Sequence, residues 1–234
     1  MDCNSDQCHL IFHTIIPTMG VLTAAFIFLS PMRTVNMASA AKSLKGINPD
    51  PFPFMIMNCF AWIFYGLYSK DNFVISCNIF GYLLGTYYTL VSYGLANEGE
   101  SNFRRSAQIT ILPLSTYVLV GSWVAFQFVS DQSTSKTILG VITVTLLVAF
   151  YVSPLSEMYQ VIKKRDSSTI DPLLACACFL NGSLWTIYAL FIADPFIWIP
   201  NGLGVILSAA QIVLRLVYRR TPEKPELKHE DTMI

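Results

Sequence analysis

Residues 58–81 have the sequence NCFAWIFYGLYSKDNFVISCNIFG, and residues 181–204, which start 123 positions later, have the sequence NGSLWTIYALFIADPFIWIPNGLG. The two stretches share uncommon residue types at this constant offset: Asn58 with Asn181, Trp62 with Trp185, Tyr65 with Tyr188, Asp71 with Asp194, Phe73 with Phe196, Asn78 with Asn201 and Gly81 with Gly204. Two unrelated lipid-facing segments would match by chance mostly at Leu, Val, Ile and Ala. The matches at Trp, Tyr, Asn, Asp and Gly therefore indicate a duplicated unit.

The repeat continues upstream of each stretch. At the same offset, Pro31 corresponds to Pro154, and the basic residue Lys42 corresponds to Arg165. Because the basic loops correspond, both units should cross a membrane in the same direction. A unit of three spans ends on the side opposite its start, so a second parallel copy requires one additional crossing. The sequence therefore predicts three spans, a linker span and three spans, with a pseudo-two-fold axis along the membrane normal and a site between the units.

Composition and hydropathy predict an all-α integral membrane protein. Apolar residues make up 53% of the 234 positions and charged residues 13%, which is about half the charged share of a typical soluble domain. A helix needs about 20 apolar residues to cross the hydrocarbon core of a bilayer. Seven runs have about that length: 11–32, 51–69, 73–96, 107–129, 137–161, 173–193 and 195–218. A lipid bilayer is thus the first predicted partner, and a net charge of zero without a basic patch argues against nucleic-acid binding.

The repeat and the apolar runs divide the chain into four parts. Residues 1–97 are predicted to form the first three-helix repeat, residues 98–133 the linker helix, and residues 134–219 the second three-helix repeat. Residues 220–234 are polar and contain proline, so we predict a disordered cytoplasmic tail there.

The distribution of basic residues predicts the orientation. With the N-terminus outside and the C-terminus in the cytoplasm, thirteen of the 15 Lys and Arg residues face the cytoplasm, and Lys70 and Lys136 face the outside. Cytoplasmic loops of membrane proteins generally carry such an excess. An odd number of spans agrees with termini on opposite sides.

The sequence lacks the groups of residues that catalysis, cofactors or metal ions require. Cys3 and Cys8 precede the first apolar run and could form a disulfide, and the other four cysteines lie in apolar stretches without metal-ligand spacing. Because no nucleophile–base set or Gly-rich phosphate loop occurs, we predict neither an enzyme nor a bound cofactor. The span centres carry no carboxylate or histidine, which favours facilitated diffusion over proton coupling.

Asn78 and Asn201 are repeat-equivalent asparagines in apolar surroundings. A buried amide needs hydrogen-bond partners, and a membrane interior supplies few of them. If the two amides face each other across the pseudo-axis, they offer donors and acceptors to a hydroxylated ligand. The alternative is that each amide forms a helix–helix hydrogen bond that serves packing. The symmetry favours ligand contact.

Trp62 and Trp185 form a second repeat-equivalent pair. Tryptophan in a membrane protein commonly belongs to an interfacial aromatic belt, but these two stand nearer to the middle of their spans. A flat indole suits the C–H face of a sugar ring, and an amide suits its hydroxyl groups. Two indoles and two amides around one axis therefore predict a sugar pocket.

Pro31 and Pro154 lie inside apolar runs, toward the predicted cytoplasmic ends. A proline in a helix frees a backbone carbonyl and permits a hinge, which we predict at both positions. Other prolines stand near predicted helix starts, where proline is common and needs no functional explanation: Pro49, Pro51, Pro53 and Pro172.

Motifs in both halves carry a resemblance to a known family. The first half contains FLSP at residues 28–31, PDPFPFMIMNC at 49–59, Tyr65-Gly66 and Asn78-x-x-Gly81. The second half contains YVSPLSEMYQVIKK at 151–164, Trp185-x-x-Tyr188, and Asp194-Pro195-Phe196 followed by Pro200-Asn201-Gly202. Together these motifs resemble the SWEET family of sugar uniporters, and the resemblance covers residues 20–218.

The resemblance implies roles for individual residues. Asn78, Asn201 and Trp185 fall where family members contact the sugar, whereas Trp62 falls where plant members often have a small residue such as serine. The family's gates are also implied: Pro31, Pro51, Pro154 and Pro172 on the cytoplasmic side, and Tyr65 and Asp194 on the outer side. The internal repeat pairs Pro172 with Pro49, so the choice between Pro49 and Pro51 stays open.

The predicted function is a bidirectional facilitative sugar uniporter that alternates access between its two three-helix units. Two facing indoles narrow the pocket, so we expect a monosaccharide such as glucose to be preferred to a disaccharide. Two alternatives are a PQ-loop type amino-acid carrier, although Ser-Pro replaces Pro-Gln at both equivalent sites, and a seven-span receptor, which would lack the duplication. We expect the protein to reside in the plasma membrane rather than in a vacuolar or other endomembrane. The sequence does not decide whether it forms a homo-oligomer.

Overall fold

A computed structural model describes residues 6–44, 47–96 and 102–218, and these residues form helices and short connections without a β-strand. Seven helical segments are long and apolar enough to cross a membrane: Asp6–Ala41, Pro51–Ser69, Asn72–Leu95, Phe103–Gln127, Gln132–Lys164, Pro172–Phe191 and Pro195–Val217. The predicted seven spans are thereby confirmed. The predicted tail at 220–234 lies outside the described residues.

The first span is built from several helical pieces, and each later span is a single helix. The first span contains α1 (Asp6–Leu10), a π-helical turn (Ile11–Ile15), α2 (Ile16–Leu29) and α3 (Met32–Ala41). The later spans are α4 (Pro51–Ser69), α5 (Asn72–Leu95), α6 (Phe103–Gln127), α7 (Gln132–Lys164), α8 (Pro172–Phe191) and α9 (Pro195–Val217). We call α1–α5 the first unit, α6 the linker helix and α7–α9 the second unit.

Aspartate side chains cap four of these helices. Asp71 accepts from the backbone N–H groups of Phe73 and Val74 at the start of α5, and Asp194 accepts from that of Phe196 at the start of α9. Capping satisfies backbone donors that the first helical turn leaves without partners. The other two caps are Asp131 before α7 and Asp171 before α8. Asp71 and Asp194 are repeat-equivalent, so the last span of each unit, α5 or α9, starts with the same duplicated cap.

Among the residues that the structure describes, four non-glycine residues adopt left-handed backbone conformations, and they form two repeat-equivalent pairs. Lys42 and Arg165 have φ angles of 52° and 53°, and Lys70 and Ala193 have φ angles of 57° and 54°. Such conformations are unfavourable for residues with a side chain. Their recurrence at the same offset shows that the backbone itself repeats.

Helix packing follows the same symmetry. Within the first unit, α5 packs against both α2 and α4, and within the second unit α9 packs against both α7 and α8. The units meet where α2 packs on α8 and where α4 packs on α7. Each of these interfaces is the repeat counterpart of the other, as a pseudo-two-fold axis requires. The linker helix α6 packs on α4, α5 and α7.

Candidate functional site

A cavity of about 530 Å³ lies between the two units. This volume falls within the usual range for small-molecule pockets. Its walls include all four residues for which the sequence predicts ligand contact: Asn78, Asn201, Trp62 and Trp185. The fold therefore brings together side chains that are 123 positions apart in the sequence.

The two predicted asparagines make matching hydrogen bonds. The amide nitrogen of Asn78 donates to the carbonyl of Val74 at 2.8 Å, and that of Asn201 donates to the carbonyl of Ile197 at 2.8 Å. Both bonds run along the asparagine's own helix, so they fix each amide rather than joining two helices. Among the described residues, the side-chain oxygen and the second N–H of each amide have no hydrogen-bond partner, and both asparagines line the cavity.

The two tryptophans are held in matching positions by tyrosines one turn away. The ring of Trp62 lies edge-on to Tyr65 with centroids 5.5 Å apart, and that of Trp185 lies edge-on to Tyr188 at 5.8 Å. Edge-to-face contacts at such distances are favourable. A Cβ atom at Gly20 would lie 3.1 Å from the indole of Trp185, so α2 leaves room for this ring. Both indoles are buried and form walls of the cavity.

Crossed hydrogen bonds lie at one end of the cavity, which we call the aspartate end after Asp71 and Asp194. The hydroxyl of Tyr65 lies 2.7 Å from both carboxylate oxygens of Asp194 and donates to that carboxylate. The hydroxyl of Tyr188 donates to Asp71 Oδ2 at 2.7 Å. Each bond joins one unit to the other, and all four side chains are buried. The resemblance had singled out Tyr65 and Asp194, and the structure adds the counterpart pair.

An ion pair reinforces one half of this arrangement. Lys136 Nζ lies 2.7 Å from Asp194 Oδ2. The repeat counterpart of Lys136 is His13, which lies in the π-helical turn and stacks on His9 at 4.4 Å between ring centroids. Beyond the tyrosines lies a separate small pocket of about 280 Å³, whose walls include Asp71, Lys136 and Asp194. The crossed hydrogen bonds thus separate two pockets.

At the opposite end, which we call the proline end, the cavity reaches exposed residues. Pro31, Pro51 and Pro154 line it there, together with the exposed Asp171. Pro172 directly follows Asp171 but does not line the cavity, and Pro49 does not line it either. Between Pro49 and Pro51, the structure places Pro51 at the cavity wall.

Asn58 and Asn181 also line the cavity, although the sequence argument had used them only as evidence of the repeat. Asn181 Oδ1 accepts from the hydroxyl of Thr23 at 2.9 Å, across the interface between α2 and α8. The repeat counterpart of Thr23 is Leu146, which has no hydroxyl. Asn58 Oδ1 is correspondingly buried without a hydrogen-bond partner among the described residues. Repeat equivalence was the sequence pattern that could have identified this pair.

Tyr151 is a further residue of the cavity wall, and the sequence alone predicts no role for it. Its hydroxyl donates to the carbonyl of Pro200 at 2.8 Å, next to Asn201. A Cβ atom at Gly204 would lie 2.8 Å from this hydroxyl, so the glycine is needed for the contact. The first unit has a matching ring-on-glycine contact, because a Cβ atom at Gly81 would lie 2.7 Å from the ring of Phe28.

The described residues contain no group of three or more His, Cys, Asp or Glu side chains that could hold a metal ion. Four cysteines of the described part of the chain are free, and two of these, Cys77 and Cys178, line the cavity. Cys8 is disulfide-bonded, whereas Cys3 lies outside the described residues.

Comparison with known proteins defines the class of protein to which this fold and cavity belong. The family described as "Sugar efflux transporter for intercellular exchange" matches residues 14–99 and residues 137–223. The second range starts 123 residues after the first, so the family unit is the repeat found in the sequence. The chain belongs to this MtN3/SWEET family of sugar transporters.

Individual relatives agree with this assignment. The chain is 32% identical over 211 residues to the bidirectional sugar transporter SWEET1 of Arabidopsis thaliana, covering 89% of this chain and 84% of the relative. It is 30% identical over 222 residues to the putative bidirectional sugar transporter SWEET7d of Oryza sativa subsp. japonica, covering 92% and 79%. The structure of a eukaryotic SWEET transporter superposes with a TM-score of 0.76 at 26% identity and covers 87% of this chain and 97% of that one.

Proposed function

We propose that this protein is a bidirectional facilitative sugar uniporter that prefers monosaccharides. The observation that carries the proposal is a cavity that is lined by Asn78, Asn201, Trp62 and Trp185 and closed at one end by the crossed Tyr–Asp hydrogen bonds. Asn78 and Asn201 would bind the hydroxyl groups of the sugar, and Trp62 and Trp185 would pack on its C–H faces. The names of its relatives support a sugar as the substrate.

Access would alternate by rocking of the two units. The crossed hydrogen bonds hold the aspartate end closed, and the cavity reaches exposed residues at the proline end. We take residues 1–97 and 134–219 as the two moving repeats and residues 98–133 as the linker between them. Opening of the aspartate end would break both Tyr–Asp bonds, while Pro31, Pro51, Pro154 and Pro172 would form the gate at the other end.

Transport would be uncoupled from protons. Among the described residues that line the cavity, the carboxylates are Glu157 and Asp171, and both lie toward the proline end rather than beside the asparagines. A proton-coupled carrier typically places an ionisable group in the core of its pathway. This arrangement supports downhill equilibration of the sugar.

The aspartate end would face the outside of the cell, with the plasma membrane as the location. The excess of basic residues near the proline end supports this orientation. So does the disulfide at Cys8, which lies in α1 at the start of the first span, because disulfides persist mainly in oxidising compartments. An epitope tag after residue 234 should therefore be detected at the cell surface only after the cells are permeabilised.

Uptake by proteoliposomes tests the proposal. Purified protein should equilibrate labelled glucose in both directions, and the internal concentration should not exceed the external one when a pH gradient is imposed. Protein-free liposomes provide the background, and a labelled cationic amino acid serves as the competing substrate. Accumulation of glucose against its gradient, or transport of the amino acid instead, would contradict the proposal.

A further inference from the structure

The cavity extends well beyond the asparagines. On α9, Gln211 lies ten residues after Asn201, which corresponds to about 15 Å along a helix axis. On α7, Glu157 lies almost one turn past Pro154, on the side away from the asparagines. The cavity therefore has a central level at Asn78 and Asn201 and a second level beyond the prolines.

The second level contains a polar group that the central site does not use. Gln211 Nε2 donates to Glu157 Oε2 at 3.4 Å, and Thr169 lines the same cavity. A bond of 3.4 Å is long for an amide and a carboxylate. The amide oxygen, its second N–H and further carboxylate lone pairs remain for a ligand.

The repeat shows that the fold does not require these polar residues. The counterparts of Glu157 and Gln211 in the first unit are Thr34 and Tyr88. Tyr88 is fully buried and donates its hydroxyl to the carbonyl of Phe28 at 2.8 Å. The same helical architecture thus forms in the first unit without a carboxylate at the position that corresponds to Glu157.

The facing wall at this level is apolar. Phe52 lines the cavity and packs on Tyr88 with ring centroids 5.2 Å apart. Because Tyr88 is the counterpart of Gln211, the pseudo-two-fold axis places Phe52 at a depth similar to that of Gln211. Pro51 and Met55 continue this apolar wall. One wall therefore offers hydrogen bonds and the other offers flat apolar surface, which are the two kinds of contact that a sugar ring makes.

A carboxylate in a membrane-spanning helix is costly, and such residues usually mark a substrate pathway. If the contact between Glu157 and Gln211 served only to hold α7 against α9, two neutral polar side chains could do so without that cost. We propose that Glu157 and Gln211 form a second sugar-binding subsite at the proline end, the vestibule subsite, which takes a monosaccharide. The Glu157 carboxylate accepts charge-assisted hydrogen bonds from hydroxyl groups of the sugar, and the sugar ring lies against Phe52. This inference rests on the proposed function and adds a second binding position to it.

Cys178 provides a reporter for this subsite, because it lines the cavity and is the repeat counterpart of Met55. The experiment measures the rate at which a maleimide alkylates Cys178 in the full-length protein in lipid nanodiscs, over a range of glucose concentrations. A Cys178→Ser protein gives the labelling background. Indole fluorescence of Trp62 and Trp185 reports the central site in parallel, because both rings lie there.

In the Asn201→Ala variant we expect glucose to lose its effect on indole fluorescence but still to slow alkylation of Cys178. Adding Glu157→Leu to that background should raise the half-protecting glucose concentration at least tenfold, and adding Gln211→Ala should act in the same direction. Thr34→Ala changes the counterpart position in the first unit and should leave protection unchanged. If the protein with Glu157→Leu does not fold, the protein with Asn201→Ala and Gln211→Ala still tests the subsite.

Loss of all protection in Asn201→Ala alone would show a single site and overturn the vestibule subsite, while glucose uptake by the wild-type protein would leave the proposed function intact. The vestibule subsite would also be overturned if glucose protected Cys178 equally well after Glu157→Leu or Gln211→Ala is added to Asn201→Ala. Absence of glucose uptake and of any fluorescence response in the wild-type protein would instead overturn the proposed function.

Discussion

The hydroxyl of Tyr65 donates to the carboxylate of Asp194 at 2.7 Å, although the two residues belong to different units. Their counterparts Tyr188 and Asp71 make the reciprocal bond. Each unit therefore supplies the donor that the other unit's buried carboxylate needs. A buried carboxylate that loses its partner is strongly unfavourable, so both bonds should break and form together.

We expect Tyr65→Phe to favour opening of the aspartate end. A hydrogen bond to a charged group contributes about 1.5–3 kcal/mol, so its loss should raise the population of the open state by roughly tenfold or more. A cysteine introduced at Val74, which lines the cavity near this end, should react correspondingly faster with a membrane-impermeant thiol reagent added outside. The measurement uses a background in which Cys77 and Cys178, two free cysteines of the cavity wall, are both replaced by serine.

Tyr188→Phe should have a similar effect, because the two bonds are repeat-equivalent. Tyr117→Phe alters an exposed tyrosine on the linker helix and serves as the control. If the reactivity of the Val74→Cys protein is the same with Tyr65→Phe as with Tyr117→Phe, the crossed bonds do not hold this end closed.

Asn78→Ala and Asn201→Ala should each abolish glucose flux while the protein remains folded in the membrane. Each change removes donors and acceptors from desolvated sugar hydroxyls, at a cost of about 1–3 kcal/mol for each group left unpaired. Uptake by proteoliposomes and the elution profile of the purified variant measure the two properties. Asn72→Ala, at an exposed position outside the cavity, is the matched control. Wild-type uptake by both cavity variants would refute the pocket assignment.

Trp62→Ser should enlarge the cavity and admit a disaccharide. Trp62 and Trp185 line the same cavity, and steric exclusion discriminates between ligands more sharply than small differences in contact. Uptake of labelled sucrose should rise relative to the wild type, and affinity for glucose should fall because apolar contact is lost. Equal rates of sucrose and glucose uptake by the wild-type protein would show that the two indoles do not set the size limit.

Asn58→Leu should raise the thermal stability of the protein, whereas Asn181→Leu should lower it. Asn58 Oδ1 is buried without a partner among the described residues, and a group of this kind costs about 1–3 kcal/mol. Asn181 has its partner in Thr23, so its replacement breaks a bond instead. Midpoints of thermal unfolding in one detergent compare the two repeat-equivalent variants directly. Equal shifts in both would indicate that the missing partner at Asn58 carries no energetic cost.

The meeting of Asn78, Asn201, Trp62 and Trp185 in one cavity could be predicted because these residues are duplicated. An asparagine at 78 and another at 201, in apolar surroundings, imply a meeting point on the pseudo-axis without any knowledge of helix packing. The Tyr188–Asp71 bond could not be derived in this way. It depends on which helices cross between the units, and sequence spacing does not contain that information.

Residues that break the repeat are not found by a search for duplicated positions. The counterparts of Glu157 and Gln211 are Thr34 and Tyr88, which carry neither a carboxylate nor an amide. Such a search therefore does not identify Glu157 and Gln211. The first span differed from its predicted range of 11–32 for another reason. The helical path continues through Pro31 into the polar α3 and starts before the apolar run, because backbone hydrogen bonds do not need apolar side chains.

The linker helix α6 packs on α4 and α5 of the first unit and on α7 of the second. It therefore makes association of the two units an intramolecular event, with an effective concentration set by the tether rather than by the amount of protein. Units that are held together covalently do not need a permanent interface. The contacts between α2 and α8 and between α4 and α7 can thus be weak enough to separate at either end in the proposed transport cycle.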